Sequence, residues 1–343
     1  MKRYRIYSLL LIVLVFSVVL VGCSYQILNI SEDYSNKLIV HFIDVGQGDS
    51  TLIEFPNGKI SLIDGGTRGA SDKVIDYIDS LGIRKIDYLI ATHPHEDHIG
   101  GLPKVIRNFD IDKVYMPDKT ANTIIFEELL LEIKKKNLKI NLAEGGDTII
   151  DDKNLRFSIL APNKNTYSNI NDFSIVTKIE YGHNSVIITG DAESCSEKDM
   201  LDLGYDLTAD ILRVGHHGGS TSSTEEFLTA VDPDYSILSV GKGNPYGHPH
   251  RETLNRLANI ETQVMRTDKL GDIVFVSDGK KFKWMKDLAV KDNDEEQYTG
   301  NKNTKIFHHI DCKSLPNKKN QIMFRSIKEA QYNGYRPHKV CME

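Results

Sequence analysis

The hexapeptide HPHEDH, at residues 93–98, constrains this chain more than any other stretch. It places three imidazoles and two carboxylates within one short turn. Nitrogen and oxygen ligands of this kind suit Zn²⁺, or Mn²⁺ and Fe²⁺ at higher coordination. The apolar residues 87–92 before it have the length of a strand, and residues 99–103 after it resemble a helix start. The hexapeptide is therefore predicted to lie on a strand-to-helix turn, where open α/β sheets place their sites.

The composition is that of a globular protein, with 343 residues of which 40% are hydrophobic and 26% charged. This length allows one large domain or two modest ones. The formal charge is −6, and without the three cations Lys2, Arg3 and Arg5 the remainder carries about −9. An acidic body of this kind does not indicate general nucleic-acid binding.

The first 22 residues have the pattern of a secretory signal, with a basic start, an apolar run at 9–16 and Leu-Val-Gly-Cys at 20–23. The run resembles a bacterial lipoprotein signal, in which Cys23 is lipidated and residues 23–36 form a tether. An uncleaved membrane anchor is the alternative. Both interpretations place the mature protein on the extracytoplasmic face of the membrane. With four cysteines, the chain is not a disulfide-dense scaffold.

After the tether, the predicted elements are first strands in hairpins and then strands that alternate with helices. Strands are predicted at 38–44, 50–55 and 59–64, then a helix with Ser71 as its N-cap. Further helices are predicted at 120–136, 196–203, 222–231 and 251–258, with strands at 154–160, 174–181, 184–189, 211–214 and 235–240. This order indicates two sheets covered by helices.

Six motifs follow one another in a specific order: FIDVGQGDS at 42–50, IDGG at 63–66, the hexapeptide, TGD at 189–191, HHG at 216–218 and NPYGHP at 244–249. With them, the chain from Ile39 to about Leu257 resembles the metallo-β-lactamase-fold hydrolases. Within these it is most similar to the metallo-hydrolase domain of ComEC-type DNA-uptake proteins. The resemblance implies an α/β fold, an αββα sandwich over residues 37–288, with its metal site at one rim of the sheets.

The resemblance also implies a site for two divalent ions, Zn²⁺ or Mn²⁺. The implied ligands are His93 and His95 for the first ion, Asp97 and His98 for the second, Asp191 between them, and one of His216 and His217. The choice within that last pair stays open, because neighbours on a strand point to opposite sides. Many members have one more histidine before the Gly-Asp motif, but residues 169–174 contain none. Asn171 or Asp172 is a candidate to help there.

Two further predictions concern residues around the ions. Asp97 is expected to accept a proton from the attacking water, and His248 to contact phosphate, donate a proton or act as a late ligand; a loop histidine without a role is the alternative. Asp44, Asp49 and Asp64 are expected to orient ligand histidines rather than bind metal, with surface carboxylates in turns as the alternative.

The tail has a second metal pattern. After a predicted linker at 289–303, residues 304–343 contain His308-x₃-Cys312 and His338-x₂-Cys341, which match a structural zinc site. This stretch resembles the Ada-type metal-binding domain, with histidine at two of its four cysteine positions. His309 is an alternative to His308, and a disulfide between the two cysteines is the alternative to zinc. Residues 305–343 carry eight Lys or Arg and three acids, about +5.

Together these features predict a surface-anchored, metal-dependent phosphodiesterase or nuclease that acts on DNA. A choline-phosphate-type esterase of the cell wall is the alternative enzyme. A non-catalytic module that binds DNA or a partner is the alternative from another class.

Overall fold

The structure, a computed structural model, describes residues 34, 36–285, 298–310, 312–324, 330, 335–338 and 341. The predicted signal, Cys23, residues 23–33 of the tether and the run 292–297 lie outside the described residues. Among the described helices, none has the length and apolar character needed to span a membrane.

The first sheet has eight strands, and its central and edge strands come from both ends of the domain. They are β1 Leu38–Phe42, β2 Thr51–Glu54, β3 Ile60–Ile63, β4 Lys85–Ile90, β5 Asp110–Met116, β6 Ile140–Leu142, β14 Ile273–Ser277 and β15 Phe282–Trp284. Their order is β15-β14-β1-β2-β3-β4-β5-β6. Neighbours from β15 to β3 are antiparallel, and those from β3 to β6 are parallel.

The second sheet has seven strands and repeats the same change of direction. They are β7 Thr148–Asp152, β8 Leu155–Ala161, β9 Val176–Tyr181, β10 Asn184–Ile188, β11 Ile211–Arg213, β12 Tyr235–Leu238 and β13 Gln263–Arg266. β7 to β10 pair antiparallel, whereas β10 to β13 pair parallel. Since the carboxyl ends of parallel strands meet at one edge, each sheet offers an edge where side chains can converge.

Helices cover the outer faces of both sheets. They are α1 Ser71–Ser80, α2 Glu96–Ile99, α3 Leu102–Asn108, α4 Ile124–Lys135, α5 Ser194–Asp202, α6 Glu225–Val231, α7 Arg251–Asn259 and α8 Thr267–Leu270. One apolar core lies between the sheets, a second beneath α1, α3 and α4, and a third beneath α5, α6 and α7. The predicted α/β class and αββα layering are confirmed.

The structure corrects two details of the prediction. Ser71 is the first residue of α1 and not its cap, because Thr67 caps a 3₁₀ turn at Arg68–Ala70 that leads directly into the helix. Strands β5, β6 and β7 were not predicted. Exposed and half-buried residues interrupt their apolar pattern, so periodicity alone does not reveal them.

The tail forms a third sheet, of four strands in the order β18-β16-β17-β19. These strands are β16 Tyr298–Asn301, β17 Ile306–His309, β18 Gln321–Phe324 and β19 Arg336–Pro337. The sheet begins at Tyr298, whose buried ring packs on Phe307, so the predicted linker, ending at residue 303, is too long. Among the described residues of the tail, the buried core of this sheet comprises Tyr298, Phe307, Phe324, Ala330 and Tyr335.

Candidate metal centre

The hexapeptide lies where it was predicted, on the turn between β4 and α2. His93 is buried, and its Nε2 lies 3.0 Å from Nδ1 of His95, the residue before the helix. The turn is held close to the end of β3, since a Cβ on Gly101 would collide with the carbonyl oxygen of Gly65. Only glycine at position 101 therefore allows this approach.

Asp64 fixes the orientation of His98. Its Oδ2 lies 2.7 Å from Nδ1 of His98 and accepts a hydrogen bond of 2.7 Å from the Thr92 hydroxyl, while its Oδ1 accepts the Thr92 amide at 2.8 Å. Because Nδ1 is engaged in this way, Nε2 of His98 is directed at Oδ1 of Asp191, 3.2 Å away. The expected orienting role of Asp64 is what its contacts show.

Asp191 lies at the centre of the site, three residues after the end of β10. Its Oδ2 lies 3.9 Å from Nε2 of His93, 3.9 Å from Nε2 of His216 and 3.7 Å from Nε2 of His217. The carboxylate is almost fully buried. It therefore has the position of a group shared between two sets of ligands.

His216 and His217 follow β11 in a turn, not on a strand. Both have left-handed backbone angles, with φ of 49° and 53°. Because of this turn, both imidazoles approach Asp191, and the expectation that neighbours point to opposite sides is wrong here. Nδ1 of His217 donates to the Ser239 carbonyl at 2.9 Å, which leaves Nε2 facing Oδ2 of Asp97 at 3.2 Å.

These residues fit divalent ions. His98 Nε2 and Asp191 Oδ1 are buried and have no hydrogen-bond partner within the described part of the chain. The ligand atoms of His93, His98 and Asp191 lie within 4.8 Å of one another, as do those of Asp97, His98 and His217. Imidazoles and carboxylates are the donors that zinc and manganese take in proteins. His93, His95 and Asp191 would hold the first ion; Asp97, His98, His217 and the same Asp191 would hold the second.

The electrostatics of the cluster favour charged carboxylates. Burial would raise the pKa of Asp191, but His98 and His217 hold it well below its ordinary value. Burial would likewise raise the pKa of Asp97, yet the hydrogen bond from His217 lowers it. For His98, burial acts to lower the pKa, whereas Asp191 and Asp64 raise it well above 6.5. These opposite charges stabilise one another, and a metal ion bound at Nε2 of His98 would take the place of its proton.

Arg213 is a part of the site that the sequence analysis missed. Its side chain is fully buried at the end of β11 and binds Asp49 through Nε at 2.9 Å and through a second nitrogen. It also donates to the Gly190 carbonyl, next to Asp191. The Asp49 carboxylate therefore pairs with the Arg213 guanidinium and not with a metal ion. A lone charged residue in the apolar strand Ile-Leu-Arg was the available signal.

Two of the other predicted residues have different partners. Asp44 accepts the Gly46 amide at 3.1 Å and lies 3.4 Å from Lys73, so it does not orient a ligand histidine. Asp172 accepts the backbone amides of Glu193 and Ser196 at the start of α5, so its carboxylate is used there and does not help the first ion.

His248 lies over the histidine pair. Its ring centroid is 5.4 Å from that of His216 and 6.1 Å from that of His217, and its Nδ1 is buried without a hydrogen-bond partner among the described residues. Burial, together with those two histidines, lowers the pKa of His248 to about 4. The ring is therefore neutral near pH 7 and can donate one N–H to a ligand.

The tail brings its four predicted ligands together. Ligand atoms of His308, Cys312, His338 and Cys341 lie within 4.8 Å of one another, with Nδ1 of His338 3.2 Å from Sγ of Cys341. Both cysteines are free, so the alternative disulfide is not formed. His309 is outside this group. The preceding residue, His308, faces the cluster instead, because adjacent residues on β17 point to opposite sides of the sheet.

The fold and the two clusters agree with two protein families. Residues 43–242 match the metallo-beta-lactamase superfamily, and residues 286–343 match the metal binding domain of Ada. The chain belongs to the metallo-beta-lactamase superfamily, whose fold is generally that of metal-dependent hydrolases, and it carries an Ada-like zinc-binding domain at its C-terminal end.

Its relatives include competence proteins. It is 31% identical to ComE operon protein 3 of Bacillus subtilis over 253 residues, which are 69% of this chain and 32% of that protein. It is 32% identical to Recombination protein 2 of Haemophilus influenzae over 240 residues, 68% of this chain and 28% of that protein. The chain thus spans about a third of the length of these relatives. The metallo-beta-lactamase fold protein YhfI from Bacillus subtilis aligns with 70% of this chain and all of its own, at 14% identity and a TM-score of 0.47.

Proposed function

We propose that this protein is a metal-dependent phosphodiesterase that cleaves DNA at the surface of the cell. The observation that carries the proposal is the buried cluster of imidazoles and carboxylates around Asp191, in which Nε2 of His98 and Oδ1 of Asp191 have no hydrogen-bond partner among the described residues. Two divalent ions in such a site would supply Lewis acidity to a phosphate and an activated water. The similarity to competence proteins supports DNA as the substrate.

The chain's own residues have separate roles in this proposal. Asp97 is the least buried of the site carboxylates, with 27% of its side chain exposed, so it can accept a proton from water at the mouth of the site. His248 directs a neutral ring N–H toward the phosphate. No described side chain is placed as a nucleophile, and hydrolysis by water needs none.

The basic tail is proposed to contact the DNA backbone. Its described cations Lys305, Lys313, Lys318, Lys319 and Arg336 are all exposed. Phosphate contacts by such residues are independent of sequence and weaken steeply with salt. The acidic body limits affinity, so binding is expected to be modest.

The test uses the full-length protein in detergent with Mn²⁺ or Zn²⁺, labelled single- and double-stranded DNA, bis-p-nitrophenyl phosphate and p-nitrophenylphosphorylcholine. We expect cleavage of DNA and of the first diester, and a loss of at least about 100-fold in Asp97→Ala, because general-base steps contribute about 10²–10⁴-fold. Asp152→Ala, at an exposed strand end, is the matched control.

Cleavage of neither DNA nor diester would refute the proposal, as would equal rates for Asp97→Ala and the wild type. Faster turnover of the choline ester than of DNA would replace DNA with a choline-phosphate substrate.

The location is proposed from the first 23 residues, which carry the pattern of a lipoprotein signal. Cys23 is expected to be lipidated and to hold the protein on the extracytoplasmic face of the membrane. Cys23→Ser should move the protein out of the detergent phase in Triton X-114 partition of cells. An unchanged partition would contradict a lipid anchor at this residue.

A further inference from the structure

Residues 169–174, which lack the histidine found in many members of the fold, form hydrogen bonds to Glu193. Residues Ile170–Phe173 form a 3₁₀ turn, and the side-chain amides of Asn169 and Asn171 donate to the two carboxylate oxygens of Glu193 at 2.8 and 2.9 Å. Asp172 accepts the Glu193 backbone amide at 3.2 Å. Three neighbouring side chains thus position one buried glutamate beside the metal centre.

Glu193 in turn positions His216. Its Oε1 lies 3.0 Å from Nδ1 of His216, which therefore carries the hydrogen and leaves the Nε2 lone pair available. That Nε2 lies 3.9 Å from Oδ2 of Asp191, the oxygen that also lies 3.9 Å from Nε2 of His93. Ligands of one tetrahedral ion lie about 3.3–3.5 Å apart at ordinary bond lengths, so both imidazoles have to move toward Asp191, each by about 0.5 Å, to share an ion with it.

The backbone of the turn supports the same role. Two consecutive non-glycine residues, His216 and His217, are left-handed, a strained conformation that is found at functional sites. An ordinary extended backbone would direct only one of the two rings at Asp191. The strained turn therefore supplies two imidazoles from adjacent positions.

We propose that His216, positioned by Glu193, replaces the absent histidine as the third nitrogen ligand of the first ion, alongside His93 and His95. His217 then serves the second ion. A ligand histidine that donates its other ring N–H to a carboxylate is the usual arrangement at metal sites. This inference rests on the two-ion site proposed above and not on DNA as the substrate.

The test measures metal content of the full-length protein by mass spectrometry over a titration of free Zn²⁺, together with the visible spectrum after Co²⁺ substitution. His216→Ala is expected to lose one ion at limiting zinc and to change the cobalt bands of the first site. Glu193→Gln keeps the shape but removes the charge, and is expected to weaken the first site by about 10–100-fold. His183→Ala, an exposed imidazole, is the matched control and should behave as the wild type.

A double variant, His216→Ala with Asn171→His, provides a rescue, because it returns an imidazole to the region where relatives of this fold carry one. Recovery of the lost ion supports the replacement. Unchanged zinc affinity and cobalt spectra in both His216→Ala and Glu193→Gln would overturn it. If His216→Ala does not fold, Glu193→Gln alone decides. Loss of an ion in a protein that cleaves no diester would leave the ligand assignment standing and remove only the proposed function.

Discussion

Single residues around the metal centre differ in how visible they are from sequence. The candidate ligands stand in short motifs, and Asp64 follows its strand directly, so the sequence alone marks them as candidates. Arg213 and Glu193 act through partners distant in the chain: Arg213 binds Asp49, 164 positions away, and Glu193 binds Asn171 and His216. Such pairings need the folded arrangement, because a lone Arg or Glu has no spacing rule that identifies its partner.

Glu197 gives a prediction about pH at this scale. It is 1% exposed, and its carboxylate accepts the amides of Ser223 and Thr224 in the loop after the histidine pair. Burial raises the pKa of Glu197 from 4.5 to about 7, although these hydrogen bonds act in the opposite direction. The folded protein therefore keeps its proton up to about pH 7, while the unfolded chain releases it near pH 4.5.

The free energy of unfolding should consequently fall as pH rises from 4.5 to 7, and the contribution of Glu197 should be complete only below pH 4.5. The pKa difference corresponds to about 3 kcal/mol. Glu197→Gln is expected to remove this part of the pH dependence of the free energy of unfolding, measured by urea unfolding with chelator present. Glu226→Gln, on the nearby exposed first turn of α6, is the control. Equal slopes for wild type and Glu197→Gln would show that the carboxyl titrates normally.

At the scale of elements, the strands and helices that carry the motifs were predicted, while the strands β5, β6 and β7, which extend the two sheets, were not. β1 to β4 and β8 to β12 have apolar runs bounded by glycine or polar turns, which periodicity detects. In β5, five of seven residues are exposed or half-buried, and it extends the sheet from one side of β4. Its pairing depends on tertiary contacts.

The turn after β11 shows a second limit of element-level prediction. The sequence predicts a strand that runs through Val214 toward the histidines. If that strand continued, only one of the two histidines would face the site. The left-handed angles at His216 and His217 arise where the chain turns back beneath the loop before α7, with the His250 amide bonded to the Gly218 carbonyl at 2.9 Å. Backbone handedness at non-glycine residues has no reliable sequence signal.

At the scale of the whole molecule, the tail depends on its metal cluster. In the part of the tail that the structure describes, the core has five buried apolar residues with Ile322 packed against them, which is a small core for a domain of this size. We expect one zinc ion to be held by His308, Cys312, His338 and Cys341 and to supply much of the stability of this sheet.

Cys341→Ser in the full-length protein should therefore remove one zinc ion, increase the rate at which a protease cleaves the tail, and weaken DNA binding. Turnover of bis-p-nitrophenyl phosphate should stay unchanged, because the hydrolase site has its own ligands. His309→Ala is the matched control, since its neighbour His308 and not His309 belongs to the cluster. Loss of diester turnover and DNA binding to the same extent in Cys341→Ser would contradict two separate functional parts.

The carboxylates that meet at the metal centre leave it with a net negative charge. Five carboxylates meet there, those of Asp49, Asp64, Asp97, Asp191 and Glu193, with the single guanidinium of Arg213 among them. With neutral histidines, the formal charge of this set is −4, which two divalent ions would cancel. Such ions would bind the folded chain far better than the unfolded one, and mass action would then add their binding energy to folding. The supply of divalent metal would thus govern how long the folded protein persists as well as whether it is active.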